Sequence, residues 1–471
     1  MTRPRLLIVP ALLGLLAGCS SDSPTSVDST QPKPVETTVV TAPSAPETTA
    51  TPTSTTPAST DAPTTTTTTE PAASQWLLDY LGAAPGEAAG EPIRIGFVNQ
   101  RSFSPESETA ARIAVDTLNT QASGAAGRPI ELVPCNVETE ADATACATSL
   151  ATDPSVTMIM VGAFQAGNAA FYAAAGTAKP ILVATGLTAS DFLSTTSQTF
   201  TVGGAGVVAG LATFIVDGLS PAPQQVGVLH LDSPAGQASV DLFIRPILER
   251  AGANAVFVPL PVDGDPAAVL AAISASGAAA ADTMLLALNV ANCVSVYDAF
   301  TQLDIDPTVV AVGPCNSVGV GEHLAGLGVN DPVPDGWYFG NNGYSSYIPN
   351  SEAGVDAYNE IMDAAAAASD TPIDRTGLAP ITAATTFTIA QLMNSLGAAA
   401  TDPAALRDAI VTFEGPMMFQ AGPIACGKTV ILGVALTAVC ASQMGVHQYR
   451  DGSWIPVLDG NNGKAIDLNA I

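Results

Sequence analysis

The chain has few basic residues. Its 471 residues include 15 lysines and arginines against 43 aspartates and glutamates, which gives a formal net charge of −28 at pH 7. This balance argues against nucleic-acid binding, because phosphate contacts require a basic patch. It also argues against electrostatic docking on an anionic membrane. The charge favours a solubilising surface or an adaptation to salt over a site for cationic ligands.

Histidine is scarce as well, and we predict neither a metal site nor a cofactor. His230, His323 and His447 are not grouped with the cysteines, and no C-x-x-C spacing occurs, so a zinc site is not expected. The hydrolase signatures G-x-S-x-G and H-E-x-x-H are missing. Asp232 and Ser233 are neighbours of His230 in sequence, whereas a catalytic triad needs residues that converge in space. We therefore predict no catalysis.

The chain begins with a short apolar run. Leu6–Leu16 follows Arg3 and Arg5, and it is too short to cross a bilayer but suits a signal peptide. The next residues complete the sequence LAGC, which resembles the lipobox of bacterial lipoproteins. The resemblance implies that residues 1–18 are removed, and that a diacylglyceryl group on Cys19 anchors the protein outside the cytoplasm. An ordinary secretory signal with an incidental cysteine is the alternative.

A low-complexity segment follows the lipobox. Residues 20–74 are almost entirely Thr, Pro, Ser, Ala and Glu, so they have too little apolar surface to offset the entropy of ordering them. Together with Cys19 they predict a disordered tether over residues 19–74.

The remaining cysteines predict disulfides. The chain has seven cysteines, and six remain when Cys19 is lipidated. An even number in an exported protein indicates disulfide bonds. Six cysteines allow fifteen pairings, but these six form three couples that are close in sequence. We predict the bonds Cys135–Cys146, Cys293–Cys315 and Cys426–Cys440.

Short apolar runs alternate with alanine-rich helical stretches from residue 93 onward. Strands are predicted at Ile93–Asn99, Ile130–Cys135, Val156–Val161 and Ile181–Ala184, then at Val226–Leu231, Val256–Pro259, Thr283–Leu288 and Val309–Val312, with a helix after most of them. This rhythm predicts an α/β fold of two doubly wound parallel-sheet lobes. The expected lobes comprise residues 91–203 with 340–443, and 204–339 with 444–458, joined by a multi-strand hinge. The tail from Ile424 is predicted to be β-structure.

Two motifs invite a nucleotide-binding interpretation. Gly422–Thr429 fits G-x-x-x-x-G-K-[ST], but a P-loop opens a helix, whereas the residues after Thr429 are β-rich. Gly204–Ala209 fits G-x-G-x-x-A, yet a dinucleotide is a cytosolic cofactor, and tight turns where the chain passes between lobes fit the layout better.

The order of elements resembles the type I periplasmic binding fold, in particular the lipoprotein substrate-binding subunits of branched-chain amino acid-type ABC importers. The resemblance covers roughly residues 91–458. It is carried by Ile93–Asn99, by Met160–Phe164 and by Pro180–Thr188, which looks like a characteristic segment of that family. It implies two lobes that close on a solute, a membrane permease as partner, and a monomer.

The resemblance also implies a ligand site at the carboxyl ends of the strands. The expected cleft segments are 100–103, 164–168, 185–188, 232–236, 289–292, 314–317 and 341–344. Thr188 and the backbone near Gly186 and Leu187 match the grip of the family on a ligand carboxylate, and the helix at Asn168 offers free N–H groups to an anion. The predicted ligand contacts are Phe103, Phe164, Ala166, Asn168, Gly186, Leu187, Thr188, Asp232, Asn289, Asn316 and Tyr344.

Three positions depart from the family pattern. The carboxylate-binding serine should fall near Ala166 or Gly167, a tyrosine is replaced by Ala235, and the acid that pairs with the ligand ammonium should fall near Cys315. An amide, or a carboxylate without an amine, is therefore at least as well supported as an α-amino acid. We expect a lipid-anchored solute-binding protein that delivers a small polar solute to an ABC importer. A sensory module that signals to a membrane receptor is the alternative.

Overall fold

The computed structural model describes residues 74–460 and 464–471. The predicted signal peptide, the predicted lipidation site Cys19 and the predicted tether up to residue 73 lie outside the described residues. Within the described part of the chain, no helix is both long enough and apolar enough to cross a membrane.

Fifteen strands and fourteen α-helices make up the described chain. The strands are β1 (Ile93–Asn99), β2 (Ile130–Asn136), β3 (Val156–Val161), β4 (Ile181–Val183), β5 (Ser197–Gln198), β6 (Gln225–Leu231), β7 (Asn254–Leu260), β8 (Thr283–Ala287), β9 (Thr308–Ala311), β10 (Tyr338–Asn341), β11 (Val430–Ile431), β12 (Val434–Ala435), β13 (Gln443–Arg450), β14 (Ser453–Leu458) and β15 (Ile466–Asp467). The helices are α1 (Gln75–Leu81), α2 (Pro105–Gln121), α3 (Glu140–Thr152), α4 (Asn168–Ala175), α5 (Ala189–Phe192), α6 (Gly203–Thr213), α7 (Pro234–Ser239), α8 (Arg245–Arg250), α9 (Pro266–Ser276), α10 (Val290–Leu303), α11 (Val318–Gly326), α12 (Ala353–Ala368), α13 (Ala379–Leu396) and α14 (Pro403–Val411).

The first sheet is parallel throughout, with strand order β2-β1-β3-β4-β5. Every residue of β3 is buried, which is the pattern of a parallel strand covered on both faces. One face packs against α2 and α13 in a core that contains Phe97, Leu118 and Phe387. The other face packs against α3 and α4 around Ile159 and Phe171.

The second sheet has the order β14-β13-β10-β9-β8-β6-β7. Its strands from β7 to β10 are parallel, whereas β13 joins β10 and β14 in antiparallel register. The predicted α/β class with parallel sheets is confirmed. The chain passes between the sheets three times: after β5 into α6, after β10 toward α12, and before β13. These passages place the carboxyl ends of both sets of parallel strands along one interior region.

The sequence missed some elements at the edges of the fold. α1 precedes residue 91, where the first lobe was expected to begin, and its Leu77 and Leu81 are fully buried in the core of the first sheet. Tyr80 bonds the hydroxyl of Thr388 in α13 at 2.8 Å. The tail from Ile424 was predicted to be β-structure. Just after Thr429, however, it forms only β11 and β12, two short strands of two residues each that pair with one another. Ile431 and Leu436 nevertheless pack into the core of the second sheet.

The three predicted disulfides are present: Cys135–Cys146, Cys293–Cys315 and Cys426–Cys440. The bond between Cys426 and Cys440 closes the segment that fits the P-loop pattern, and the chain continues from Thr429 into the short strand β11 instead of a helix. Because a P-loop needs a helix N-terminus under the phosphates, this segment lacks the context for nucleotide binding.

Candidate functional site

A cavity of about 180 Å³, here called the inner cavity, lies where the strands of both sheets end. Leu187 follows β4, Leu231 ends β6, Leu288 follows β8 and Val312 follows β9. The start of α6, at Gly203 and Gly204, forms another part of the wall. The cavity therefore occupies the position where open parallel sheets bind their ligands.

A second cavity of about 640 Å³, here called the outer cavity, adjoins the inner one. The two share Phe103, Gln165, Leu231, Pro314, Gly377 and Leu378 as lining residues. Three carboxylates, from Glu106, Asp263 and Asp374, line the outer cavity, and no basic residue lines it in the described chain. Its lining therefore carries acidic groups only.

The inner cavity has no charged lining residue in the described chain. Its wall is formed mainly by aliphatic and aromatic side chains and by glycines, with a few amides and hydroxyls. His447 is its one titratable imidazole among the described residues, and burial lowers the pKa of this ring to about 3. The imidazole is neutral at physiological pH, so a charged solute would find no partner of opposite charge in this cavity.

Two nitrogen atoms in the wall, Nδ2 of Asn316 and Nε2 of His447, have no oxygen acceptor among the described residues. The amide oxygen of Asn341 accepts from Gly343 N at 2.8 Å, so its Nδ2 donates to Nδ1 of His447, also at 2.8 Å. The proton of the neutral ring therefore lies on Nε2, which is 3.4 Å from Nδ2 of Asn316. Two donors thus face each other beside the cavity, and an oxygen acceptor of a solute would satisfy both.

A cluster of aromatic rings supports His447 from behind. The imidazole packs against Phe339 and Trp454, with ring centroids 5.8 and 5.0 Å apart, and against Tyr347 at 5.8 Å. Tyr347 and Trp454 stack at 4.8 Å. The chain has only 5% aromatic residues, so their concentration here fixes the orientation of the ring and excludes water from it.

The groups that were predicted to bind a solute carboxylate bind a carboxylate of the protein itself. Asp191, which is 2% exposed, accepts hydrogen bonds from Leu187 N at 2.8 Å, from Thr188 N at 2.7 Å and from the Thr188 hydroxyl at 3.0 Å. Tyr172 donates to it at 2.7 Å and Asn168 at 3.0 Å. Burial raises the pKa of Asp191, whereas these five donors favour its charged form.

Five of the eleven predicted contact residues lie at a cavity. Phe103, Leu187, Asn316 and Tyr344 line the inner cavity, and Asn289 lines the outer one. Each of them follows the carboxyl end of a strand, as the open-sheet rule led us to expect.

The other six predicted residues line neither cavity. Phe164 is 1% exposed and packs edge-on against Phe171. Asn168 and Thr188 turn their side chains toward Asp191, and the carbonyl oxygen of Gly186 accepts from Gly204 N. Asp232 is exposed beyond the end of β6. The remaining one, Ala166, packs against the hydrophobic core beside α4.

The sequence interpretation missed His447 and the first turn of α6. His447 lies on β13, an antiparallel strand, so the rule for parallel strand ends did not apply to it. The one signal in the sequence was the position of His447 in the tail that was predicted to be β-structure. The pairing of β13 with β10, which sets His447 opposite Phe339, is a long-range contact that the sequence does not reveal.

Two α/β units with parallel sheets, and an interior cavity at the carboxyl ends of their strands, define a solute-binding protein. The chain belongs to the periplasmic binding protein family, whose model matches residues 92–438. No curated protein matches this chain by sequence.

Several solved structures share the fold. A fatty acid ABC transporter substrate-binding protein from Thermomonospora curvata is similar with a TM-score of 0.63 and 14% identity, over 82% of this chain and 95% of its own. A solute-binding protein from Rhodopseudomonas palustris, solved with 3,4-dihydroxybenzoic acid, gives 0.60 and 15%, over 80% and 98%. The branched-chain amino acid transporter protein LivJ from Streptococcus pneumoniae, solved with isoleucine, gives 0.58 and 16%, over 77% and 98%.

Proposed function

We propose that this chain is the extracytoplasmic solute-binding component of an ABC importer, and that its solute is small and uncharged. The observation that carries the second part is the inner cavity, whose described lining residues include no aspartate, glutamate, lysine or arginine. A solute with an apolar body would bury its surface against the aliphatic wall. One carbonyl, amide or ether oxygen would accept from His447 and Asn316.

The size of the cavity limits the solute. A cavity of about 150 Å³ holds one benzene molecule, so the inner cavity, at about 180 Å³, suits a solute of roughly six to ten non-hydrogen atoms. Two of the related structures above contain isoleucine and 3,4-dihydroxybenzoic acid, and the third is a fatty acid transporter protein. All of these solutes have a carboxylate. We propose that this chain takes a solute of similar size without one.

We also propose that a lipid anchors the protein to the membrane. A lipid on Cys19 and the tether that follows would keep the binder close to a membrane permease at high effective concentration. Binding would select the closed arrangement of the two sheet-bearing lobes, which the permease then receives. No step of this cycle requires catalysis by the chain.

A thermal-shift screen tests the proposed solute class. We expect uncharged amides, esters and alcohols of six to ten non-hydrogen atoms to raise the melting temperature, because a solute at 100 times its Kd stabilises the folded state by about 2.7 kcal/mol. α-Amino acids and carboxylates should have no effect. Stabilisation by carboxylates alone would contradict the uncharged-solute proposal. If deletion of the gene leaves cellular uptake of the bound solute unchanged, the proposed role in an ABC importer is contradicted.

The Cys293–Cys315 bond offers a second test, because it holds the turn that carries Pro314 and Asn316 at the cavity. Its half-cystines are 22 residues apart, so replacing both by serine should cost about 3 kcal/mol of unfolding free energy. Solute affinity should fall as well, since Asn316 loses its fixed position. We would measure urea denaturation and solute titration on the same variant.

The Cys135–Cys146 bond is the matched control. Its half-cystines are 11 residues apart and line neither cavity, so the serine pair should lose about 3 kcal/mol of stability while its solute affinity stays at the wild-type value. Equal losses of affinity in both variants would show that the turn at Asn316 has no special role.

A further inference from the structure

Asp191 is a buried acid with no basic partner in the described part of the chain. Its five hydrogen-bond donors are all neutral, namely two main-chain amides, one amide side chain and two hydroxyls. Burial raises the pKa of this carboxyl group, whereas the five donors favour its charged form. When Asp191 is ionised, no basic side chain of the described residues compensates its charge.

The charge lies directly behind the wall of the inner cavity. Leu187 lines the cavity, and its own amide nitrogen is 2.8 Å from Oδ2 of Asp191. Thr185, which is two residues before Leu187, also lines the inner cavity. Asp191 is 2% exposed, so its field is screened much less than that of a surface charge.

The donors around Asp191 are those that a solute carboxylate would otherwise need. Leu187 N, Thr188 N and the Thr188 hydroxyl all converge on the single oxygen Oδ2. A solute carboxylate in the inner cavity would therefore find these donors engaged and a like charge behind them. An amide of the same shape carries no charge to be repelled.

We propose that Asp191 is a specificity-determining residue, which makes the inner cavity reject carboxylate solutes in favour of their isosteric amides. This inference rests on the proposed function, because it concerns the choice of solute in the same cavity. It differs from a purely structural role, in which Asp191 would only cap α5 through the reciprocal bonds with Thr188.

The test compares acid and amide pairs in Asp191→Asn. This variant keeps the shape of the side chain and an oxygen for the Leu187 and Thr188 amides, but removes the charge. The probes are benzoate with benzamide and hexanoate with hexanamide, titrated by calorimetry at pH 7. We expect the acid to gain about tenfold in affinity relative to its amide, the order expected for removing one charge about 10 Å away at an effective dielectric constant of about 20.

Asp142→Asn is the matched control. Asp142 forms the same reciprocal cap, with Thr139 on α3, but it is partly exposed to solvent and lines neither cavity. Its variant should keep the wild-type ratio of acid to amide affinity. If acid affinity does not rise in Asp191→Asn, or rises equally in Asp142→Asn, the specificity role is overturned and Asp191 is a helix cap only.

The proposed function is judged separately, from the wild-type protein alone. Amide binding to the wild type supports the uncharged-solute class whether or not Asp191→Asn changes the ratio. Acid binding to the wild type that equals amide binding contradicts the role of Asp191 and leaves the solute-binding function in place. A thermal melt of each variant reports folding, and a folded Asp191→Asn that fails to gain acid affinity counts against the proposal.

Discussion

Gly313→Phe should weaken solute binding about 100-fold and leave the fold intact. Gly313 lines the inner cavity, and a Cβ built there would meet no atom within 4 Å. Its backbone is outside the left-handed region, so a side chain imposes no strain. The phenyl ring would occupy space that the solute needs in a cavity of about 180 Å³. Overlap of this kind costs up to about 3 kcal/mol, which corresponds to a fall in affinity of about 100-fold.

The unfolding free energy of this variant should stay within about 1 kcal/mol of the wild-type value, because the added Cβ meets no protein atom within 4 Å and the ring extends into the cavity. Gly326→Phe is the matched control. Gly326 ends α11, is exposed, and also has no atom within 4 Å of a built Cβ, but it does not line a cavity. Solute titration measures the affinity of both variants, and urea denaturation measures their stability, so a loss of binding can be distinguished from a loss of folding. Wild-type affinity in Gly313→Phe would mean that the solute binds elsewhere.

The same cavity shows how far the sequence could predict the site. Loops after parallel strands were predictable, because alternating apolar runs and helices define where each strand ends, and Phe103, Asn316 and Tyr344 were found in this way. The disulfides were predictable since their half-cystines are close in sequence. These features depend on local pattern.

Side-chain orientation was not predictable in the same way. Thr188 occupies the expected loop, but its hydroxyl binds Asp191, three residues later, in a reciprocal helix cap. The spacing T-x-x-D is a local signal for such a cap, and it was not used to predict the site. Asn168 is different, because its amide reaches an acid 23 residues away. His447 depends on the pairing of β13 with β10. For Asn168 and His447, a contact distant in sequence decides the role of the residue.

The stability of the folded protein should depend on pH through His447, which the pairing of β13 with β10 places opposite Phe339. The folded protein holds the pKa of His447 at about 3 because the ring is buried, whereas the unfolded chain has a pKa of about 6.5. Between these values the unfolded state binds the proton and the folded state does not. The unfolding free energy should therefore fall as the pH is lowered, by about 1.4 kcal/mol per pH unit once the unfolded histidine is fully protonated.

His447→Gln should remove this dependence. Buried carboxyl groups act in the opposite direction, because burial raises the pKa of Glu106, Asp191 and Glu352, and a folded state that holds protons more tightly gains stability as the pH falls. These contributions are common to both proteins and cancel in their difference. From pH 6 to pH 4, the wild type should lose about 2 to 3 kcal/mol relative to the variant. Urea denaturation at each pH measures both curves, and parallel curves would show that the imidazole is protonated equally in the folded and unfolded states.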